Sequence, residues 1–203
     1  MKKKMMTTVA LLALTLLCLG QHGAWAQTEK LYGVHAVNLA PQGSAPDRVG
    51  QMQALGVKVV RLPVTWHLME GAGKGQTPQW FWDGLDADVR AAERAGVKLI
   101  LEFGQSPCWA SSAPNKRCGE SSYNAYIPYA PTNPSDYADA FVRIAQRYRG
   151  RIFAYEIWNE PNILQFWPSA GARGGVQWLT ALSGAREYAA LVKATYARLK
   201  AAD

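Results

Sequence analysis

The chain is poor in cysteine and histidine, with three of each in 203 residues, and its acids (15) are outnumbered by Lys and Arg (22). It has no apolar run approaching the roughly 20 residues that span a bilayer. The phosphate-cradling G-x-G-x-x-G turn is missing after the first apolar segment. Each shortage removes a class of function. Scattered histidines and cysteines without ligand spacing argue against a metal centre, and the missing glycine turn argues against a dinucleotide fold. The positive charge forms no cluster or stripe beyond the first residues, so nucleic-acid binding and polybasic membrane attachment lack their electrostatic footprint.

The amino terminus explains part of that charge. Lys2, Lys3 and Lys4 precede an apolar run from Val9 to Leu19 and the small-residue triplet Ala24-Trp25-Ala26, the pattern of a cleavable secretory leader over residues 1–26. Discounting its three lysines lowers the formal net charge from +7 to +4. The expected mature chain, from about Gln27, is soluble and secreted or periplasmic, with no stable membrane insertion. Cys18 falls within the leader. Cys108 and Cys118 remain, and an even pair closing a short loop in an oxidising compartment reads as a disulfide.

Beyond the leader, short apolar runs alternate four times with longer helical patterns, the signature of a parallel sheet built from βα units. Strands are expected over Leu31–Asn38, Lys58–Val64, Lys98–Phe103 and Ile152–Trp158. Helices are expected near Pro46–Leu55, Trp80–Ala95, Pro134–Arg149 and Arg186–Ala202. Gly56 and Gly96 stand where left-handed caps end helices, and Asn133 followed by Pro134 reads as a cap and first helical residue. The stretch from Gly104 to Asn133, with four prolines and both mature cysteines, reads as an ordered lid or rim. Four units are too few to close an eight-stranded barrel, for which about 250 residues is typical, and the pattern suggests a truncated chain.

One acid stands out. Glu160 follows the fourth strand directly before Pro161, at the strand end where barrel enzymes place their chemistry. Asn159 beside it can donate and accept, and Trp158 and Trp167 offer flat apolar faces. A carboxyl shielded by such faces is expected to keep its proton and to deliver it to a leaving oxygen, as glycoside hydrolysis requires. An exposed loop acid capping a turn is the plainer reading of Glu160. Glu156 is not its catalytic partner on strand geometry, because four residues span about 13 Å, beyond the roughly 5–9.5 Å of a working pair. It is expected to be structural.

The segment Tyr155-Glu156-Ile157-Trp158-Asn159-Glu160-Pro161-Asn162, followed by Phe166-Trp167, resembles the fourth-strand signature of clan A retaining glycoside hydrolases, of the family 39 type and its family 5 relatives. Gly33-Val34, Val60-Arg61-Leu62 and Trp66 extend the likeness along the mature chain. The resemblance implies an α/β fold, a (β/α)8 barrel of which residues 27–203 hold about the first four units. It implies Glu160 as general acid/base, Asn159 bonded to the sugar 2-hydroxyl, and Arg61 beneath the carboxylates, orienting them. That clan's nucleophilic glutamate ends strand seven and has no counterpart among these residues. Glu70 and Glu102 lie near strand ends but not at that position.

Trp66, His67, Phe103 and Trp109 end or follow strands and are candidates for sugar stacking or for packing. Trp66, His67 and Trp167 are taken as substrate-binding, and Trp109 as packing against the disulfide. Trp80 and Trp82 are expected outside the barrel, and His35 and Asn38 to be structural more than ligating. The expected activity is retaining hydrolysis of a β-linked oligo- or polysaccharide without metal or cofactor. The alternatives are a non-catalytic carbohydrate-binding fragment and a half barrel that pairs or aggregates through its open edge.

Overall fold

The computed structural model describes residues 30–40, 48–112, 129–163, 167 and 177–203. The leader, Cys118 and Phe166 lie outside these residues, as do the side chains of 177–183. Within the compact unit Tyr32–Asp203, the elements run β1 (Gly33–His35), α1 (Arg48–Ala54), β2 (Val59–Thr65), α2 (Trp66–Glu70), α3 (Gln79–Ala95), β3 (Lys98–Gly104), α4 (Pro134–Arg147), β4 (Ala154–Ile157) and α5 (Gln177–Ala202). The strands form one parallel sheet in the order β1-β2-β3-β4. It is an unclosed part of a barrel wall.

Alternation along each strand decides which side chains reach the helices. Val60, Leu62 and Val64 of β2 and Leu99, Leu101 and Phe103 of β3 are buried, and they meet the apolar stripes of α3 (Phe81, Leu85, Val89, Ala92) and α4 (Tyr137, Phe141, Ile144) in one core. The intervening residues form the opposite, inner face. Register sets Arg61 beside Ile100, then Pro63 beside Glu102 and Thr65 beside Gly104. Glu102 in turn pairs with Glu156 of β4, so two acids share one layer of that face with Arg61 one step below.

The helix ends follow their residues. Gly96 closes α3 at φ 66°, its N–H reaching the carbonyls of Ala92 and Glu93. The Asn133 side chain accepts from the Ser135 N–H at the start of α4, with Pro134 at the first position. Two helix tyrosines tie the upper strand ends: Tyr137 donates to Phe103 O at 2.6 Å and Tyr188 to Ile157 O at 2.8 Å. Between helices, Arg147 grips Asp86 through two bonds at 2.9 and 2.6 Å and lies over the Trp82 ring.

Several elements differ from expectation. The chain after β2 turns at once into α2, a helix that sequence alternation did not reveal, and α5 begins at Gln177 instead of Arg186. β1 and β4 are shorter than expected, three and four residues.

Candidate active site

The inner face gathers charge at the carboxyl ends of the strands. Arg61 donates from Nε to Glu156 Oε2 at 2.7 Å and from Nη2 to Glu156 Oε1 at 2.8 Å. The same Nη2 reaches Asn159 Oδ1 at 2.8 Å and lies 3.9 Å from Glu102 Oε2. The guanidinium is donor-only, so its bond to Oδ1 fixes which way the Asn159 amide turns. Its Nδ2 is left as the group that can donate outward. The hydrogen bonding to Glu156, with the charges of Glu156, Glu102 and Glu160, pushes Arg61 further above its ordinary value against the opposing effect of burial. Arg61 therefore stays charged, and Glu160 lies within its field.

Glu102 is the buried member, 6% exposed. Burial pushes its carboxyl up to about 7, helped by the neighbouring charge of Glu156 and opposed by Arg61. A Cβ on Gly104 would stand 2.8 Å from Glu102 Oε1 and 3.8 Å from the Asn159 nitrogen, so the glycine lets the carboxyl and the β4 turn come together. A consequence is measurable. The folded state holds a proton on Glu102 that the unfolded chain releases near 4.5. That contribution to stability is fully present below pH 4.5 and is lost as pH rises through 7. Its size is on the order of 3 kcal/mol. Urea titrations across pH 4–8 should show the decline, and Glu102→Gln should flatten it.

Glu160 follows β4 through a sharply turned backbone. Trp158 and Glu160 both adopt left-handed angles, φ 70° and 44°. The Trp158 N–H donates to Phe103 O at 2.9 Å and the Glu160 carbonyl accepts from Ile163 N at 3.0 Å. The turn corrects the expected aromatic shield. Trp158 and Trp167 are each 2% exposed, their rings in edge contact at 4.8 Å, with Tyr137 against Trp158 and Tyr188 against Trp167. They are core on the helix side. Glu160 itself is exposed, and these two indoles do not cover its carboxyl.

Trp66 is corrected likewise. It is fully buried, its Nε1 donates to Glu70 Oε2 at 2.8 Å, and its ring meets Trp109 and Tyr137 edge-on, both at 5.6 Å. Trp109 donates to the Glu70 carbonyl at 2.6 Å, and Arg143 pairs with the Glu70 carboxylate. Glu70 is thus a buried structural acid beneath the helices. His67 is half-buried, and burial holds its imidazole down to about 4. Its backbone N–H donates to Gln105 O at 3.1 Å. His35, paired in register with Arg61, is exposed. The structure therefore brings together Arg61, Asn159 and the carboxylates at the sheet's upper end, with His67 nearby through Gln105. It does not bring Trp66 or Trp167 to them.

Sequence reasoning set Glu102 at the barrel rim or interior, where it lies, and passed over Gln105. The signal for Glu102 was present, since its two-residue spacing from Ile100 and Gly104 sets it on the face opposite Leu101 and Phe103. Gln105 stands one residue past β3, where barrel sites form.

With this geometry in hand, comparison with known families is informative. A family model described as cellulase (glycosyl hydrolase family 5) matches residues 21–203. The chain belongs to glycosyl hydrolase family 5. Among solved structures, this family 5 chain is similar to endo-glycoceramidase II from Rhodococcus sp. in complex with a cellobiose-like imidazole, with TM-score 0.57, 19% identity, and coverage of 86% of this chain and 47% of that one. It is also similar to β-glycosidase BGL167, with TM-score 0.52, 18% identity, and coverage of 75% and 40%. A family 39 glycoside hydrolase from Bacteroides cellulosilyticus WH2 matches with TM-score 0.49, 20% identity, and coverage of 81% and 29%. The chain spans less than half the length of each of these three structures. At these identities the likeness to the endo-glycoceramidase and to the β-glycosidase establishes the fold, a partial (β/α)8 barrel. No curated protein matches the chain.

Proposed function

We propose that this family 5 chain carries the proton-transfer side of a retaining glycosidase acting on a β-linked oligo- or polysaccharide. Glu160 is the general acid/base. Its proton goes to the glycosidic oxygen as that bond breaks, while a second carboxylate bonds to the anomeric carbon. Water then displaces that carboxylate, and Glu160 takes the water's proton back. Asn159 donates from Nδ2 to the sugar 2-hydroxyl, and Arg61 holds that amide in place. This chemistry calls for no metal or organic cofactor. The observation that carries the reading is the Arg61 guanidinium bonded to both Asn159 and Glu156, with Glu160 within its field.

The attacking carboxylate is not free among the described residues: Glu156 is committed to Arg61 and Glu102 is buried. That observation favours a second reading, a carbohydrate-binding chain without turnover of its own. Azide in solution separates the two. It can attack the anomeric carbon in place of the carboxylate, forming a C–N bond as Glu160 gives its proton to the departing oxygen. Glycosyl azide released from an aryl β-glycoside, and lost in Glu160→Gln, supports the acid. Sugar binding with no azide product supports the second reading. We further propose export through cleavage of the leader at residues 1–26 and a Cys108–Cys118 bond formed outside the cytoplasm, both testable by mass spectrometry of the exported chain.

A further inference from the structure

Three non-glycine residues among those described hold left-handed backbones, and all three lie just past β3 and β4: Gln105 at φ 63°, Trp158 at 70° and Glu160 at 44°. The conformation is costly for any residue with a Cβ and free for glycine. At Trp158 packing accounts for it, because the turn carries the indole into the core. At Glu160 the proposed acid accounts for it. At Gln105 neither applies. Its side chain is exposed and makes no hydrogen bond among the described residues.

Its backbone is nevertheless pinned. The Gln105 carbonyl accepts from His67 N–H at 3.1 Å. Gly104, the residue before it, lies against the Asn159 nitrogen and the Glu102 carboxyl, so that even a Cβ there would touch both. The fold thus fixes Gln105 beside the Asn159 turn, in a conformation that glycine would fill without strain, and presents its side-chain amide to solvent. An amide with two donors and an acceptor matches paired sugar hydroxyls, and strained residues of this kind gather at ligand sites. We propose that Gln105 is a specificity-determining residue, its side-chain amide hydrogen-bonding hydroxyls of the sugar that Asn159 contacts. This rests on reading the mouth as a sugar site.

The test is a set of variants of the full chain, with cellobiose as the probe and melting followed in parallel. Gln105→Gly should melt higher, by about 2–4 °C for a chain of this size, and bind cellobiose about tenfold more weakly, the loss expected when about one net hydrogen bond goes. Gln105→Ala should bind as weakly without melting higher. Gln105→Asn, which keeps an amide and tolerates the left-handed backbone, should recover most of the affinity. If Gln105→Gly binds like the unchanged chain while Asn159→Ala is weakened, Gln105 is no sugar contact and the site reading stands. If Gln105→Gly melts no higher, the conformation carries no strain and the assignment falls. If the unchanged chain binds no cellobiose, both the assignment and the site reading fall.

Discussion

Glu160→Gln should lower azide-supported cleavage of a phenyl β-glycoside by about 100- to 10,000-fold, the range a positioned acid contributes. The amide keeps the size and hydrogen-bonding capacity of the carboxyl but has no proton to give. Phenoxide is a poor leaving group, so the loss falls on the protonation step. A 2,4-dinitrophenyl β-glycoside departs without help and should be slowed far less. Cellobiose affinity should stay within a few-fold. The contrast between the two leaving groups separates proton donation from positioning, since a residue that only orients the sugar would slow both alike. Equal losses on both substrates would remove Glu160 from the acid's role.

The largest effect on stability is expected at Trp66→Ala. The indole is wholly enclosed by Phe103, Trp109 and Tyr137, and deleting such a ring costs about 3–5 kcal/mol. The substitution also takes from Glu70 Oε2 its indole donor, leaving a buried carboxylate less well satisfied. At about 2–4 °C per kcal/mol, the melting temperature should fall by roughly 6–20 °C. Sugar affinity of the folded molecules should not change. Unchanged melting together with weakened binding would return Trp66 to the subsite.

That contrast shows where the sequence was readable. Val60, Leu62 and Val64 alternate with Arg61, Pro63 and Thr65, and continuing the series by two sends Trp66 to the helix side with the valines. The signal was in the strand pattern, but an aromatic at a strand end carries an equal expectation of sugar stacking, and α2 was not legible from five residues. Arg61 and the use of Asn159 were legible only through the resemblance of Val60-Arg61-Leu62 and Trp158-Asn159-Glu160 to a family signature, and Glu156 because strand rise keeps it from Glu160.

Trp158 was not readable in the same way. Alternation with Glu156 would set it on the inner face, and only the left-handed turn at that residue reverses it into the core beside Tyr137. A positive φ at a bulky non-glycine residue has no sequence marker. The same blindness hid Gln105. For Glu160 the expected apolar shield fails for this reason, since its two tryptophans face away. Trp167 packs its buried ring against Trp158 and Tyr188.

The central claim is that the upper end of this sheet holds a sugar across Asn159 and Glu160, with Arg61 orienting the amide. Titrating the isotopically labelled chain with cellobiose tests it directly through the Asn159 side-chain N–H and Glu160 carboxyl resonances. The account predicts saturable shifts at both, lost at Asn159 when Arg61 is replaced by methionine. Unmoved resonances at Asn159 and Glu160, with the shifts gathered instead on the exposed α5 face around Tyr196, would contradict it.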